Sequence, residues 1–460
     1  MVFSSNVFLF LYLPVVLIFY YCSPQKMKNL TLFAVSLIFY GWGEPVYLTV
    51  MIFVLAVNYA FGKAIEKKQE TGYSGKTELV ISLIINLLVL SFFKYTGFIV
   101  KNLKLLPFLK DIHIPEISLP IGISFYIFQS MSYTIDVYRN DAACQKSFVK
   151  FGTYISMFPQ LIAGPIVRYA DIERQLDTRR ESAKEFAFGI QLFIIGLSKK
   201  VLFANTIGLL WKQLLECSDA LSAWAGMAAY TLQIYFDFSG YSDMAVGLGH
   251  MFGFTFPKNF DYPYISQSVT EFWRRWHISL SSWFREYVYY PLGGNRKGRS
   301  RQIMNLFIVW ALTGLWHGAS WNFVLWGLYY AVFLTAEKTF LNPLLKKLPK
   351  IMRHIYLLMI VSIGWMIFYF EDLQDLSNFI LRMFSFGMAG ESTKNILLSY
   401  LPVLFAGIVA ATPFPDRIFK KVRQEKTGDI FTILILTVLM LLCVSSLAAG
   451  SYNPFIYFRF

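Results

Sequence analysis

Charged residues are scarce in this chain. Only 15% of its 460 residues are Asp, Glu, Lys or Arg, whereas a soluble globular protein carries about 25%. A water-soluble surface around a chain of this length would need more charge. The composition therefore excludes an ordinary soluble protein and indicates that lipid is the solvent for much of the chain.

Cysteine is scarce too, and several catalytic motifs are missing. The four cysteines form no CxxC pair, which fits neither a disulfide framework nor a zinc site. The sequence also lacks a GxSxG elbow, a Walker loop, a GxGxxG fingerprint, a DxD pair and an HEXXH motif. These absences disfavour a metal-dependent or nucleotide-hydrolysing enzyme. We expect no metal site and no tightly bound cofactor.

Apolar sequence, by contrast, is abundant, at 56% of residues. The apolar runs lack the alternation of barrel strands, so they are interpreted as helices. We predict an all-α, polytopic integral membrane protein in which residues 1–460 form a single membrane domain. About eleven transmembrane helices are predicted, near residues 7–22, 30–43, 45–62, 79–93, 186–210, 221–236, 303–316, 319–337, 355–370, 397–411 and 430–449.

Two apolar stretches are interrupted by helix breakers and polar residues. Residues 119–135 contain Gly122 and Gln129, and residues 151–165 contain Pro159. Such interruptions are tolerated at membrane depth where protein or a watery cavity surrounds them. Both stretches are therefore predicted to be re-entrant, with loop packing and the lining of a cavity as alternative reasons.

The net charge of +14 resides mostly in short basic clusters between apolar runs, near 63–76, 296–301 and 417–426. Clusters so placed orient a membrane protein and contact anionic headgroups. They also attract a phosphate-bearing substrate, which stays open as an alternative. The bilayer, and not nucleic acid, is the predicted partner of this charge.

The segment 258–301 differs from the rest because it is rich in Arg, Trp, Tyr and Ser. Large apolar side chains recur in it at helical spacing, with arginines between them. This pattern predicts an amphipathic helix at the membrane interface. The apolar positions are Phe272, Trp273, Trp276, Leu280, Trp283 and Phe284.

Two histidines stand in unusual surroundings. His317 interrupts an apolar run, where an ionisable side chain is costly and is a functional candidate. Its neighbours include small Gly318, which leaves room for another group, and bulky Trp316 and Trp321, which would wall a tunnel. His277 lies in the arginine-rich segment. Both imidazoles suit proton transfer near neutral pH. The alternative for His317 is a structural hydrogen bond between helices. The alternative for His277 is anchoring at the membrane interface.

Two acidic residues, Asp237 and Asp243, lie in the stretch YFDFSGYSDMAVGLG at 235–249. A carboxylate there would orient a histidine or would make structural hydrogen bonds. Both alternatives remain open.

Several motifs together resemble one family. Trp-His-Gly at 316–318 and Trp-His-Ile-Ser at 276–279 look like the membrane-bound O-acyltransferases. So do the opening MVFSSNVFLFLYLPVVLIFYY, FPQLIAGPIVRY at 158–169, the stretch at 235–249, WFREYVYYPLGGNRKG at 283–298 and the ending YNPFIYFRF. The resemblance covers essentially the whole chain. It favours the bacterial alginate O-acetyltransferase-like branch, which is related to peptidoglycan O-acetyltransferases and teichoic acid D-alanyl transfer proteins.

The resemblance implies helices around a central funnel and tunnel, and an O-acyltransferase (EC 2.3.1.-) in the inner, cytoplasmic membrane. Acetyl-coenzyme A or another acyl thioester would be the cytoplasmic donor, and a cell-surface or exopolysaccharide would be the acceptor. The acyl group, most simply acetyl, would cross the membrane and reach the polymer through an extracytoplasmic acyltransferase partner.

The resemblance also assigns roles to residues. The family's near-invariant histidine maps to His317, the catalytic base, and the second to His277, which would position the donor or hydrogen-bond the oxyanion. The alternative functions are a transporter of an acyl carrier or lipid-linked sugar and a non-catalytic scaffold for an exported acyltransferase. The residues expected along the substrate tunnel are Trp316, Trp321, Asn322, Trp273, Arg274 and Asp237.

Overall fold

The computed structural model describes residues 1–112, 117–385, 387–424, 427–450 and 456, so His113 and all of the ending YNPFIYFRF except Ile456 lie outside the described residues. Every regular element within the described ranges is a helix, which confirms the all-α prediction. The chain divides into two compact units. The first comprises Met1–Ile190 and Ala245–Pro257, and the second comprises Gln191–Met244 and the described part of Lys258–Phe460. The single domain at 1–460 stays a prediction.

The described residues form 21 α-helices in chain order. The first part of the chain forms α1 (Leu13–Cys22), α2 (Lys28–Gly43), α3 (Leu48–Glu70), α4 (Lys76–Leu103), α5 (Ile123–Arg139), α6 (Phe148–Ser156), α7 (Phe158–Leu161), α8 (Tyr169–Thr178), α9 (Ala183–Ser198) and α10 (Thr206–Glu216). The rest forms α11 (Ala220–Met251), α12 (Val269–Arg275), α13 (Ile278–Phe284), α14 (Arg299–His317), α15 (Trp321–Ala336), α16 (Asn342–Lys347), α17 (Lys350–Tyr369), α18 (Leu373–Met383), α19 (Glu391–Ala410), α20 (Phe414–Arg423) and α21 (Gly428–Ala448).

Six helical stretches within the described residues are long and apolar enough to cross a membrane. They are α3, α4, the continuous stretch Ala183–Glu216, α17, α19 and α21. Other predicted spans form shorter helices, such as Phe8–Cys22 and the 16-residue α15. The chain is a multi-pass membrane protein, and the count of eleven spans stays a prediction.

The two stretches expected to be re-entrant fold differently from each other. In the first, residues 119–122 are not helical, α5 begins directly after Gly122, and residues 123–137 are all buried. Gly122 has φ +74°, and a Cβ there would lie 2.5 Å from the carbonyl oxygen of Leu161, so this start requires glycine. The second stretch is broken, because α6 ends before Met157 and α7 begins with Pro159 in its first turn.

A charged cluster ties α1 and α2 to the segment before α9 in the first unit. The Glu181 carboxylate accepts hydrogen bonds from the Tyr20 hydroxyl at 2.5 Å and pairs with Lys28 Nζ at 3.0 Å. Burial alone would raise the pKa of Glu181, but the hydrogen bonds from Tyr20 and Lys28 outweigh it and lower the pKa below its usual value. The carboxylate is therefore held in its charged form.

The second unit is built on a tryptophan cluster formed by Trp273, Trp276, Trp310, Trp326 and Trp365. The ring centroids of Trp273 and Trp310 lie 4.7 Å apart, as do those of Trp276 and Trp365. All five rings are buried. They come from α12, the turn after it, α14, α15 and α17, so the large apolar area of these rings holds four helices together.

The arginine-rich segment is not the single amphipathic helix that the sequence predicts. Two seven-residue helices, α12 and α13, replace it, because the chain turns at Trp276 and His277. His277 has φ +45°, in the left-handed region. The apolar side chains at helical spacing are all buried in the second unit, so they pack against protein. The prediction of helix from the spacing was correct on both sides of the turn. Tertiary contacts stabilise the turn itself, and the spacing of apolar residues carries no information about those contacts.

Candidate active site

Helices α14 and α15 form a hairpin with their backbones in contact. A Cβ on Gly314 would lie 2.2 Å from the carbonyl oxygen of Phe323, and a Cβ on Gly327 would lie 2.2 Å from that of Trp310. Only glycine permits this approach. Since α14 ends at His317 and α15 begins four residues later, the hairpin places His317 at its tip.

His317 is enclosed by aromatic rings. Its side chain is buried, with the ring centroids of Trp316 and Trp326 at 5.0 Å and that of Phe368 at 5.3 Å. It lines a small cavity of about 20 Å³, which has room for about one water molecule. The imidazole therefore lies beside a space that holds no more than about one water molecule.

A buried carboxylate lines the same cavity as His317. Asp237 comes from the middle of α11, and its Oδ1 accepts from Lys200 Nζ at 2.5 Å. Its Oδ2 accepts from the backbone N–H of Ile456 at 2.8 Å. A buried carboxylate of this kind is stable because its charge is paired and hydrogen-bonded.

His277 occupies the turn between α12 and α13 and is 1% exposed. Its Nδ1 lies 3.1 Å from Oδ1 of Asn259, and its ring centroid lies 4.8 Å from that of Phe238 and 6.1 Å from that of Trp316. This turn lies outside the six spanning stretches, and burial lowers the pKa of His277 to about 3. His277 is therefore a neutral imidazole at physiological pH.

His277 also lines a second, larger cavity of about 470 Å³. Its wall includes apolar side chains, such as Trp310, and three cationic side chains, Arg274, Arg285 and Lys338. An elongated ligand with an apolar portion and an anionic portion would match this wall.

The comparisons with known proteins identify the family. A model of the "MBOAT, membrane-bound O-acyltransferase family" matches residues 32–376. The chain belongs to the membrane-bound O-acyltransferase family. It is therefore an O-acyltransferase, and the sequence resemblance that predicted it is confirmed.

Relatives place this O-acyltransferase in the alginate O-acetylase-like branch. It is 38% identical to the "probable alginate O-acetylase AlgI" of Azotobacter vinelandii, over 100% of both chains. It is 32% identical to the "peptidoglycan O-acetyltransferase" of Helicobacter pylori, over 82% of this chain and 78% of that one. It is 30% identical to the "teichoic acid D-alanyltransferase" of Bacillus subtilis, over 48% and 59% of the two chains.

The six predicted tunnel residues of this O-acyltransferase have different surroundings. Trp273 and Arg274 line the larger cavity with His277, and Asp237 lines the smaller one with His317. The Trp316 ring lies within 6.1 Å of both histidine rings, measured between centroids. The other two predicted residues have other surroundings. Trp321 is 55% exposed, and buried Asn322 donates to the backbone oxygen of Phe368 at 3.1 Å, which fastens α15 to α17.

Sequence reasoning missed two side chains that contact the predicted site. Asn259 forms a hydrogen bond with His277, which lies 18 positions later in the chain. No sequence motif or residue spacing indicates this contact. Lys200 pairs with Asp237 and did leave a signal, since Lys199 and Lys200 interrupt the apolar run 186–210. A charge in such a run is costly and needs a partner.

Proposed function

We propose that this enzyme takes an acyl group, acetyl in the simplest case, from a cytoplasmic thioester donor such as acetyl-coenzyme A. It passes the group across the inner, cytoplasmic membrane for O-acylation of a cell-surface or exopolysaccharide. The observation that carries the proposal is the position of His317, at the tip of the α14–α15 hairpin, in a small aromatic-walled cavity.

His317 serves as the general base in this proposal. Neutral imidazole removes the proton of the acceptor hydroxyl as its oxygen attacks the thioester carbonyl. A C–O bond forms, the C–S bond breaks, and the imidazolium returns the proton to the thiolate that leaves. General-base assistance supplies a rate factor of about 10²–10⁴, and the small cavity limits hydrolysis of the acyl group by water.

The larger cavity is proposed as the site of the donor. An acyl-coenzyme A carries phosphates at one end and an extended, less polar arm at the other. The cationic side chains of Arg274, Arg285 and Lys338 would pair with the phosphates, and the apolar wall would hold the arm. Trp316 lies beside both His277 and His317, so we place the thioester end near that ring.

A polysaccharide is the proposed acceptor, because two relatives are named for the acetylation of alginate and of peptidoglycan. We further propose that a separate extracytoplasmic acyltransferase completes the transfer to the polymer, as the family resemblance implies. Acetylation of isolated cell-surface glycans, compared between cells with and without the enzyme, identifies the polymer.

The test is thioester consumption by the purified enzyme, with radiolabelled acetyl-coenzyme A and a small hydroxyl-bearing acceptor, because the proposed partner acyltransferase and not this enzyme acts on the polymer. We expect His317→Ala to lower the rate by about 10²–10⁴-fold at unchanged thermal stability. His354→Ala is the matched control, because His354 is a half-buried histidine of the same unit whose Nδ1 lies 3.1 Å from the backbone oxygen of Ser266. A wild-type rate in the His317→Ala variant would refute the assignment. Uptake of the label without thioester cleavage would favour a transporter.

A further inference from the structure

The hydrogen bonds of Asn259 fix the orientation of its amide. Its Oδ1 accepts from the backbone N–H of Ser279 at 3.2 Å and from the Ser279 hydroxyl at 2.9 Å. A backbone N–H is always a donor, so the amide atom that faces it is the oxygen and not the NH₂ group. The side chain of Asn259 therefore presents an acceptor to its neighbours.

The same oxygen lies 3.1 Å from Nδ1 of His277. An amide oxygen only accepts, so Nδ1 must carry the hydrogen. Because burial keeps the imidazole neutral, the proton on Nδ1 is the only ring N–H. Nε2 therefore carries a lone pair and is an acceptor.

The backbone holds this arrangement in place. The N–H of Ile278 donates to the backbone oxygen of Asn259 at 3.0 Å, and the N–H of Asp261 donates to that of Arg275 at 2.9 Å. These two bonds hold the segment 259–261 against the turn that contains His277. The left-handed conformation of His277 creates that turn. The break between α12 and α13 and the contact with Asn259 therefore fix the position of the His277 ring together.

Nε2 of His277 is buried and has no hydrogen-bond partner among the described residues. Buried polar atoms in proteins are nearly always paired, so an unpaired one needs an explanation, such as a partner atom on a ligand or a water molecule. His277 lines the larger cavity, whose cationic wall matches an anionic ligand. A donor group on that ligand would supply the partner.

We propose that Asn259 is a positioning residue that holds His277 as the Nδ1–H tautomer, and that Nε2 of His277 accepts a hydrogen bond from an amide N–H of the thioester donor. The identity of the donor rests on the proposed function; the tautomer does not. A neutral imidazole with a bare Nε2 has no hydrogen to offer an oxyanion there. His277 thus positions the donor, and oxyanion stabilisation falls to other groups.

The first experiment reads the tautomer directly. Full-length enzyme with ¹⁵N-labelled histidine, in detergent at neutral pH, is compared by NMR with the His277→Gln variant, which assigns the signal. We expect a neutral ring protonated at Nδ1. Asn259→Leu removes the acceptor and should abolish this signature, whereas Asn259→Asp keeps an oxygen acceptor and should retain it. A native Nε2–H tautomer or an imidazolium would overturn the proposal.

The second experiment separates positioning from folding. Asn259→Leu should raise the KM for acetyl-coenzyme A by roughly 5- to 100-fold, as expected for a lost buried hydrogen bond, and leave the KM for the hydroxyl acceptor unchanged. Ser279→Ala is the matched control, because it removes a different donor to the same Asn259 oxygen. An equal loss in both variants would show that Asn259 only stabilises the loop.

The two proposals fail in different ways. If the enzyme does not consume acetyl-coenzyme A, the proposed function falls, and the NMR tautomer of His277 still decides the positioning role. Unchanged NMR signals from His250 and His354 report that each variant is folded. A native Nδ1–H tautomer with no change of KM in Asn259→Leu would refute the contact with the donor.

Discussion

The backbones of α14 and α15 are in contact, so adding a single methyl group between them should lower both the stability and the activity of the enzyme. In Gly314→Ala, the new Cβ would meet the carbonyl oxygen of Phe323 at 2.2 Å, where ordinary contact begins at 3.4 Å. The clash is with backbone, so the helices must separate by more than 1 Å. We expect overpacking to lower the free energy of unfolding by about 1–3 kcal/mol.

The same change should slow catalysis, because His317 lies about one turn further along α14, roughly 4.5 Å away. A misplacement of about 1 Å in a catalytic group is enough to lower a rate about 10²-fold. The assays are thermal unfolding in detergent and kcat for acetyl transfer.

Gly97→Ala is the matched control, since Gly97 lies within helix α4 and a Cβ there meets nothing within 4 Å. It should unfold at or above the wild-type temperature, because alanine favours a helix by about 1 kcal/mol over glycine. If Gly314→Ala kept both the wild-type unfolding temperature and the wild-type kcat, the hairpin would be more pliable than its geometry indicates, and the reasoning would be refuted.

Three further predictions follow from charged groups. Lys200→Met leaves the Asp237 charge buried without this partner and should lower the free energy of unfolding by about 3–5 kcal/mol in chemical denaturation; Lys200→Met with Asp237→Leu should recover much of that loss. The lowered pKa of Glu181 stabilises the fold above pH 4.5, and that contribution disappears as the pH falls through the folded-state pKa; Glu181→Gln should therefore flatten the acid limb of a stability–pH curve. Arg274→Gln should raise the KM for acetyl-coenzyme A and weaken its salt dependence, whereas Lys420→Gln, a change in an exposed side chain of α20, should do neither.

The sequence was informative where local chemistry decides the structure. The apolar runs predicted helices because lipid leaves the backbone no other partner. The small residues around His317 predicted room for another group, and at Gly314 the backbone of α15 occupies such room. His317 itself was conspicuous because an imidazole in an apolar run is costly.

Distant contacts decided what the sequence could not predict. The turn at His277 is held by bonds from Asn259 and Asp261, which are remote in sequence, so helical spacing alone predicted one continuous helix there. The outward orientation of Trp321 likewise depends on how the hairpin packs. The partnership of Lys200 with Asp237 requires α9–α10 and α11 to be adjacent, and apolar periodicity carries no information about neighbours.

The tryptophan cluster has a spectroscopic consequence. Five of the chain's 11 tryptophans lie in this cluster, and Trp276, Trp326 and Trp365 also line the cavity of His317. Indole emission responds to polarity and to nearby quenchers, so a ligand that enters either cavity will change the intrinsic fluorescence of the protein. The close ring contacts should also produce a strong near-ultraviolet circular dichroism signal, which disappears when specific packing is lost. The enzyme thus contains its own optical reporter, and ligand binding is measurable without any attached dye.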